Sequence, residues 1–188
     1  PEQRRFDRTS KLAASLDGPT LLVGHSYGGS VITGAGRLRN VVGLVYVAGW
    51  APDEGETLSG LLGLRAPPPG AAIIRPDRSG FLWLEPEKFR EHFCQDLDET
   101  EALVMALSQK PIAARIFDEK SGPPAWKVKP SWFQVSANDH MIPPDTESFF
   151  AERMQAEKTI TLPASHASLA SQPQEIVALI ELAAAAVM

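Results

Sequence analysis

Hydrophobic positions change rhythm several times along the 188 residues, and each change predicts an element. Phe6, Leu12, Ala13 and Leu16 recur at roughly helical spacing, which predicts a helix over residues 2–16, ended by Asp17-Gly18-Pro19. Residues 20–23 form a short apolar strand pattern. Small residues then dominate residues 27–38, predicting a helix whose glycines need close packing against a sheet as compensation. Residues 41–47 are continuously apolar, as a strand buried on both faces should be. The rhythm breaks over residues 52–124, where prolines crowd at 67–69 and no clear strand alternation is visible. Within that span residues 86–107 read as one or two amphipathic helices, with Phe89, Phe93, Leu97, Leu103, Val104 and Leu107 as apolar positions. Regularity returns with a strand over 131–135, a polar loop over 138–144 and a helix over 145–155. A fourth strand at 159–162, a loop over 163–170 and a helix over 172–187 complete the chain. Ser171 with Gln174 resembles a capping box for that last helix, with Pro173 in its first turn.

Strands that alternate with helices imply an α/β fold, a parallel sheet with right-handed crossovers and helices on both faces. The predicted organisation is a core of residues 1–51 and 125–188, interrupted by a helical cap over 52–124. With 44% hydrophobic and 22% charged residues, the chain has the material for one substantial core. A net charge of −5 argues against nucleic acid or an anionic membrane as partner. No apolar run approaches the roughly 18 residues of a membrane span, and no basic-then-apolar leader is visible. The single cysteine, Cys94, cannot form an internal disulfide; core filling in a reducing cytoplasm is the expected role. No His/Cys/Asp/Glu cluster has metal-ligand spacing and no glycine pattern cradles phosphate, so neither metal nor cofactor is predicted.

Leu21-Leu22-Val23-Gly24-His25-Ser26-Tyr27-Gly28-Gly29 carries the chemistry. An apolar strand breaks at a glycine, presents one serine and leaves through two glycines into a helix: a Gly-x-Ser-x-Gly turn in strand–turn–helix context, the nucleophile elbow of serine hydrolases. Ser26 at so sharp a turn requires strained backbone, and side chains two residues before and after would collide, which explains Gly24 and Gly28. The turn also aims the Tyr27 backbone N–H at any oxyanion forming beside Ser26. A serine hydroxyl needs a base, and the base a carboxylate to orient it. Polar residues just past the strand ends of a parallel sheet converge on one rim. Ser26, Asp139 and His166 hold such positions after the first, third and fourth strands. Asp53, past the second strand, is the main rival to Asp139. His25 is expected beside the site. Trp50, Trp83 and Met141 are expected, with His25, to contact substrate. Leu58, Leu61, Leu62, Phe81, Phe89 and Phe93 of the cap either shape an apolar pocket or pack among themselves. His140 is expected at the pocket rim or in solvent, and His92 as a surface histidine.

Gly24-His25-Ser26-Tyr27-Gly28-Gly29 is followed by Leu44-Val45-Tyr46-Val47-Ala48-Gly49 with Ala51-Pro52-Asp53-Glu54-Gly55. Together with Pro130-Ser131-Trp132, Asp139-His140-Met141-Ile142-Pro143 and Ala164-Ser165-His166-Ala167-Ser168, they resemble the small serine esterases of the bacterial α/β-hydrolase fold family. The resemblance implies Ser26 as nucleophile, Asp139 as orienting acid and His166 as general base, in cofactor-free hydrolysis of a small carboxylic ester. Plant methyl-ester hydrolases and hydroxynitrile lyases are similar relatives. The lyases carry a lysine just after the histidine, where this chain has Ala167, so cyanohydrin cleavage is disfavoured. A lyase or perhydrolase using the same three residues, and a non-catalytic ligand-binding module, are the alternative readings.

The family places several strands and a helix before the elbow, and a loop there, often carrying His-Gly, gives the second oxyanion donor. Only 25 residues precede Ser26 here. The expectation is therefore the C-terminal part of an α/β-hydrolase fold, with an exposed sheet edge open to a second copy or a complementing chain.

Overall fold

The computed structural model describes residues 6–188; the part of the expected first helix at residues 2–5 lies outside the described residues. What is described of it is α1, Asp7–Ala14. Four parallel strands form the main sheet: β1 (Thr20–His25), β2 (Val41–Val47), β6 (Ser131–Ser136) and β7 (Lys158–Leu162), side by side in the order β1-β2-β6-β7. The crossovers place α2 (Tyr27–Ala35) and α6 (Pro144–Arg153) on one face and α8 (Pro173–Val187) on the other. Strand β2 shows why its sequence reads as unbroken apolar residues. Leu44 and Tyr46 enter the layer shared with Ile32, Phe133 and Phe150. Val45 and Val47 enter the opposite layer with Trp132, Ile176, Leu179 and Ala183. Period-two side-chain alternation across a doubly covered strand produces that pattern. Strand β1 forms one edge of the sheet, and among the described residues nothing pairs with its outer side.

The segment between β2 and β6 is not wholly helical. It contains α3 (Leu58–Leu62), α4 (Pro86–Phe93) and α5 (Glu99–Ser108). It also holds a three-stranded antiparallel sheet of β3 (Ile74–Pro76), β4 (Phe81–Leu84) and β5 (Ile112–Ala113). Strands of three, four and two residues are too short to display alternation, which is why the sequence pattern concealed them. Asp98 caps α5, its carboxylate accepting from the Thr100 and Glu101 N–H groups at 2.8 and 3.0 Å. Phe89, Cys94, Leu97, Ala102 and Ala106 form a small core with Ala167 from the loop after β7, and burial pushes the Cys94 thiol up to about 11. A second difference concerns the last helix. It begins at Pro173 after Gln172 without a side-chain cap, so Ser171 and Gln174 form no capping box; Ser171 instead ends the short α7 (Ser168–Ser171).

Candidate active site

Ser26 stands between β1 and α2 with φ 53° and ψ −123°, a left-handed backbone that a serine adopts only under constraint. The constraint is a set of hydrogen bonds. Its N–H donates to the Val47 carbonyl at 3.1 Å, and its own carbonyl accepts from the Gly29 and Trp50 N–H groups, each at 3.0 Å. The glycines divide the steric work differently from the sequence expectation. A Cβ on Gly24 would lie 2.5 Å from the Gly28 carbonyl oxygen, whereas one on Gly28 would meet nothing within 4 Å. The second position without room is Gly29, where a Cβ would fall 2.6 Å from the Trp50 carbonyl oxygen.

The turns after β6 and β7 are joined to each other: the Ala137 N–H donates to the Leu162 carbonyl and the Asn138 N–H to that of Ala164, at 2.9 and 3.0 Å. That junction brings Asp139 and His166 together, both almost fully buried. His166 Nδ1 donates to Asp139 Oδ2 at 2.5 Å, and His166 Nε2 lies 2.8 Å from Ser26 Oγ. The other carboxylate oxygen of Asp139 accepts from the Met141 and Ile142 N–H groups at 2.6 and 2.8 Å. Burial opposes ionisation of Asp139, but His166 and the donated hydrogen bonds outweigh it and hold the carboxyl below its ordinary range. The three residues thus form one continuous hydrogen-bonded chain. Asp53 stands outside it: its carboxylate bonds Lys127 Nζ at 2.6 Å and the Glu54 N–H at 2.7 Å.

An apolar cavity of about 430 Å³ opens over Ser26 and His166. Tyr27, Trp50, Trp83 and Met141 line it, as do Leu58, Leu62, Phe89 and Phe93. Leu61 packs in the core instead, and Phe81 is part-exposed outside the lining. His25 does not line the cavity. Its Nε2–H donates to the His166 carbonyl at 2.7 Å, and its ring packs against those of His166 and Phe93. Burial, with repulsion from His166, lowers its pKa to about 4, so it is a neutral donor that fixes the backbone of the His166 loop. His140 Nδ1–H donates to the Glu91 carbonyl at 3.2 Å, and its ring stands 6.1 Å from that of His92. His92 is mostly covered and its Nδ1 is buried without a hydrogen bond, so it is not the surface histidine the sequence suggests. Among the described residues no cluster of His, Cys, Asp or Glu could hold a metal ion.

Three side chains that hold this site carry no recognisable signal in the sequence. Gln95 and Asp96 follow α4 at the base of the cap. Gln95 Nε2 donates to the Asn138 carbonyl at 2.6 Å, and Asp96 Oδ2 accepts from the Ser165 N–H at 2.8 Å. The cap thereby grips both loops one residue before Asp139 and one before His166. The third is Glu147, buried on α6 behind Asp139.

The match of residues 3–179 to one family decides what this architecture is. The chain belongs to the alpha/beta hydrolase family. Similar solved structures agree in fold. A pyrethroid hydrolase from Sphingobium faniae is 22% identical, with a TM-score of 0.71 over 93% of this chain and 74% of its own. A methylesterase from Arabidopsis is 19% identical, with a TM-score of 0.77 over 94% and 75%. An extracellular alpha/beta-hydrolase from a Paenibacillus species is 19% identical, with a TM-score of 0.73 over 93% and 76%. No curated protein sequence gives a significant match. Among the described residues no helix is long and apolar enough to cross a membrane.

Proposed function

We propose that this alpha/beta hydrolase cleaves carboxylic esters through Ser26, His166 and Asp139, by way of an acyl-enzyme. The observation that carries the reading is the hydrogen-bonded chain from Ser26 Oγ through His166 to Asp139, lying at the floor of an apolar cavity. Ser26 Oγ attacks the ester carbonyl while His166 Nε2 takes its proton. Asp139 keeps the proton of the ring on Nδ1, so that Nε2 faces Ser26 as a base, and stabilises the imidazolium that forms. The Tyr27 N–H, at the start of α2, donates to the oxyanion. His166 then protonates the departing alcohol, and water, deprotonated by the same nitrogen, releases the acid and restores Ser26. The names of the fold neighbours, a methylesterase and a pyrethroid hydrolase, fit ester chemistry.

The cavity supports an apolar substrate class. Its walls are aliphatic and aromatic, with Lys110 the one charged side chain among its lining residues. An ester with an uncharged, bulky acyl or alcohol group fills it, whereas a cationic group would lose its hydration without a partner at the walls. The outer edge of β1 is where a complementing strand, from a second copy or another chain, would add. The test is turnover of a series of uncharged esters. Activity rises with apolar size until the cavity is full, and Ser26→Ala or His166→Ala abolishes it; retained turnover in either variant overturns the assignment.

A further inference from the structure

Behind Asp139 lies a second carboxyl group with no place in the mechanism above. Glu147 sits in the first turn of α6, which packs against β6, and its side chain is fully buried. One oxygen, Oε2, accepts from the Ser136 N–H at 2.9 Å. The other, Oε1, is buried and finds no donor. Among the described residues no Lys, Arg or His ion-pairs with it. Of the other charged groups on its helix, Asp145 pairs with Arg65, Arg153 pairs with Glu56, and Glu152 is exposed. The titratable groups facing it from the adjoining loops are Asp139, within hydrogen-bonding reach, and His166 beyond it.

An ionised carboxylate in that position would be a buried charge with one orphaned oxygen beside a second carboxylate. Both features are costly. A single proton removes both. Placed on Oε1, it converts the orphaned acceptor into a donor and the repulsion into an O–H···O⁻ hydrogen bond. We propose that Glu147 is a neutral carboxylic acid that donates its proton as a hydrogen bond to the Asp139 carboxylate, and so acts as a positioning residue for the acid that orients His166. Burial, followed by the Asp139 charge, holds the Glu147 carboxyl well above its ordinary range, in agreement with this geometry. The buried chain then runs from Ser26 through His166 and Asp139 to Glu147, with one negative charge between the two carboxyls. That charge stays on Asp139, which also accepts from the Met141 and Ile142 N–H groups and His166.

The catalytic consequence rests on the hydrolase reading; the protonation state does not, and it can be measured without substrate. The infrared difference spectrum between the parent protein and Glu147→Gln at pH 7 should show the carbonyl band of a neutral carboxyl, lost in the variant. The NMR titration of the His166 ring separates the roles. Gln donates an N–H to Asp139 and still accepts from Ser136, so Glu147→Gln should keep the His166 midpoint. Glu147→Met removes the donor, concentrates charge on Asp139 and should raise the midpoint by several tenths of a pH unit. In turnover, Glu147→Met should lower kcat by about tenfold, with KM unchanged. Absence of the infrared band, with a His166 midpoint that falls by about one unit in Glu147→Gln, would show an ionised Glu147 and overturn the proposal. A midpoint that stays in place in both variants would reduce Glu147 to a packing residue and overturn it equally. Inactivity of the parent protein toward every ester, with the infrared and NMR results as expected, would instead count against the hydrolase reading alone.

Discussion

The sheet and the cap are built on opposite principles, and the site lies where they meet. In the sheet, position follows from topology: β1, β6 and β7 are parallel to β2 or to one another, so the residues just past their ends gather on one rim without any of them touching in sequence. In the cap, position follows from a handful of side-chain-to-backbone hydrogen bonds, those of Gln95, Asp96 and His140 among them. Exposed apolar side chains are also frequent in the cap: Leu64, Phe81, Trp83, Leu103, Val104 and Leu107. The rim holds Ser26, Asp139 and His166, and the cap forms most of the cavity wall above them. A change on the rim should therefore alter whether chemistry occurs, and a change in the cap should alter which ester is accepted, with Asp96 as the exception that links them.

The sharpest way to break this division is on the rim. Asp139→Asn leaves the shape but favours the wrong tautomer of His166, and kcat should fall by about 10⁴ in steady-state assays. The next largest effect is on folding. Gly24→Ala drives a methyl into the Gly28 backbone and should cost about 3 kcal/mol in chemical denaturation. Gly28→Ala, with open space at that helical position, should leave stability unchanged or raise it by up to about 1 kcal/mol. Removing the cap's grip comes third. Asp96→Ala frees the Ser165 N–H beside His166, and kcat should drop by roughly tenfold while KM changes little. A pure cap change is milder: Trp83→Ala should raise KM several-fold for bulky esters and spare short ones, read as a ratio of kcat/KM values.

A separate effect is in pH. His25 binds its proton near pH 4 in the folded protein but near 6.5 when unfolded. Between those values the unfolded chain holds the extra proton, so stability is complete above about pH 6.5 and declines as pH falls toward 4. The loss attributable to His25 is on the order of 3 kcal/mol. His25→Gln should flatten that part of the profile in denaturation measured across the range.

The same contrast explains what could be read from the sequence. The proximity of Ser26, Asp139 and His166 is legible because each follows a strand with a clear apolar signature, and a parallel sheet converts that order into nearness. The cap aromatics were legible as apolar residues, but not as wall or core: Phe89 lines the cavity and Phe81 does not, and only the path of strands two to four residues long decides between them. Gln95, Asp96 and Glu147 were silent because their partners are backbone or side-chain groups 11 to 69 residues away for Glu147 and Asp96 and 43 away for Gln95, and no local pattern records such contacts. The sequence suggests for Gly28 a steric role that belongs to Gly29, since the approach of the Trp50 backbone depends on how β2 leaves the sheet.

The central claim is that Ser26 is an activated nucleophile. The most direct test is the intact mass of the folded protein after incubation with a fluorophosphonate, with Ser26→Ala as control. One stoichiometric adduct, absent from the variant, is the predicted result. A folded protein that forms no adduct, or one that Ser26→Ala forms equally well, would contradict the account.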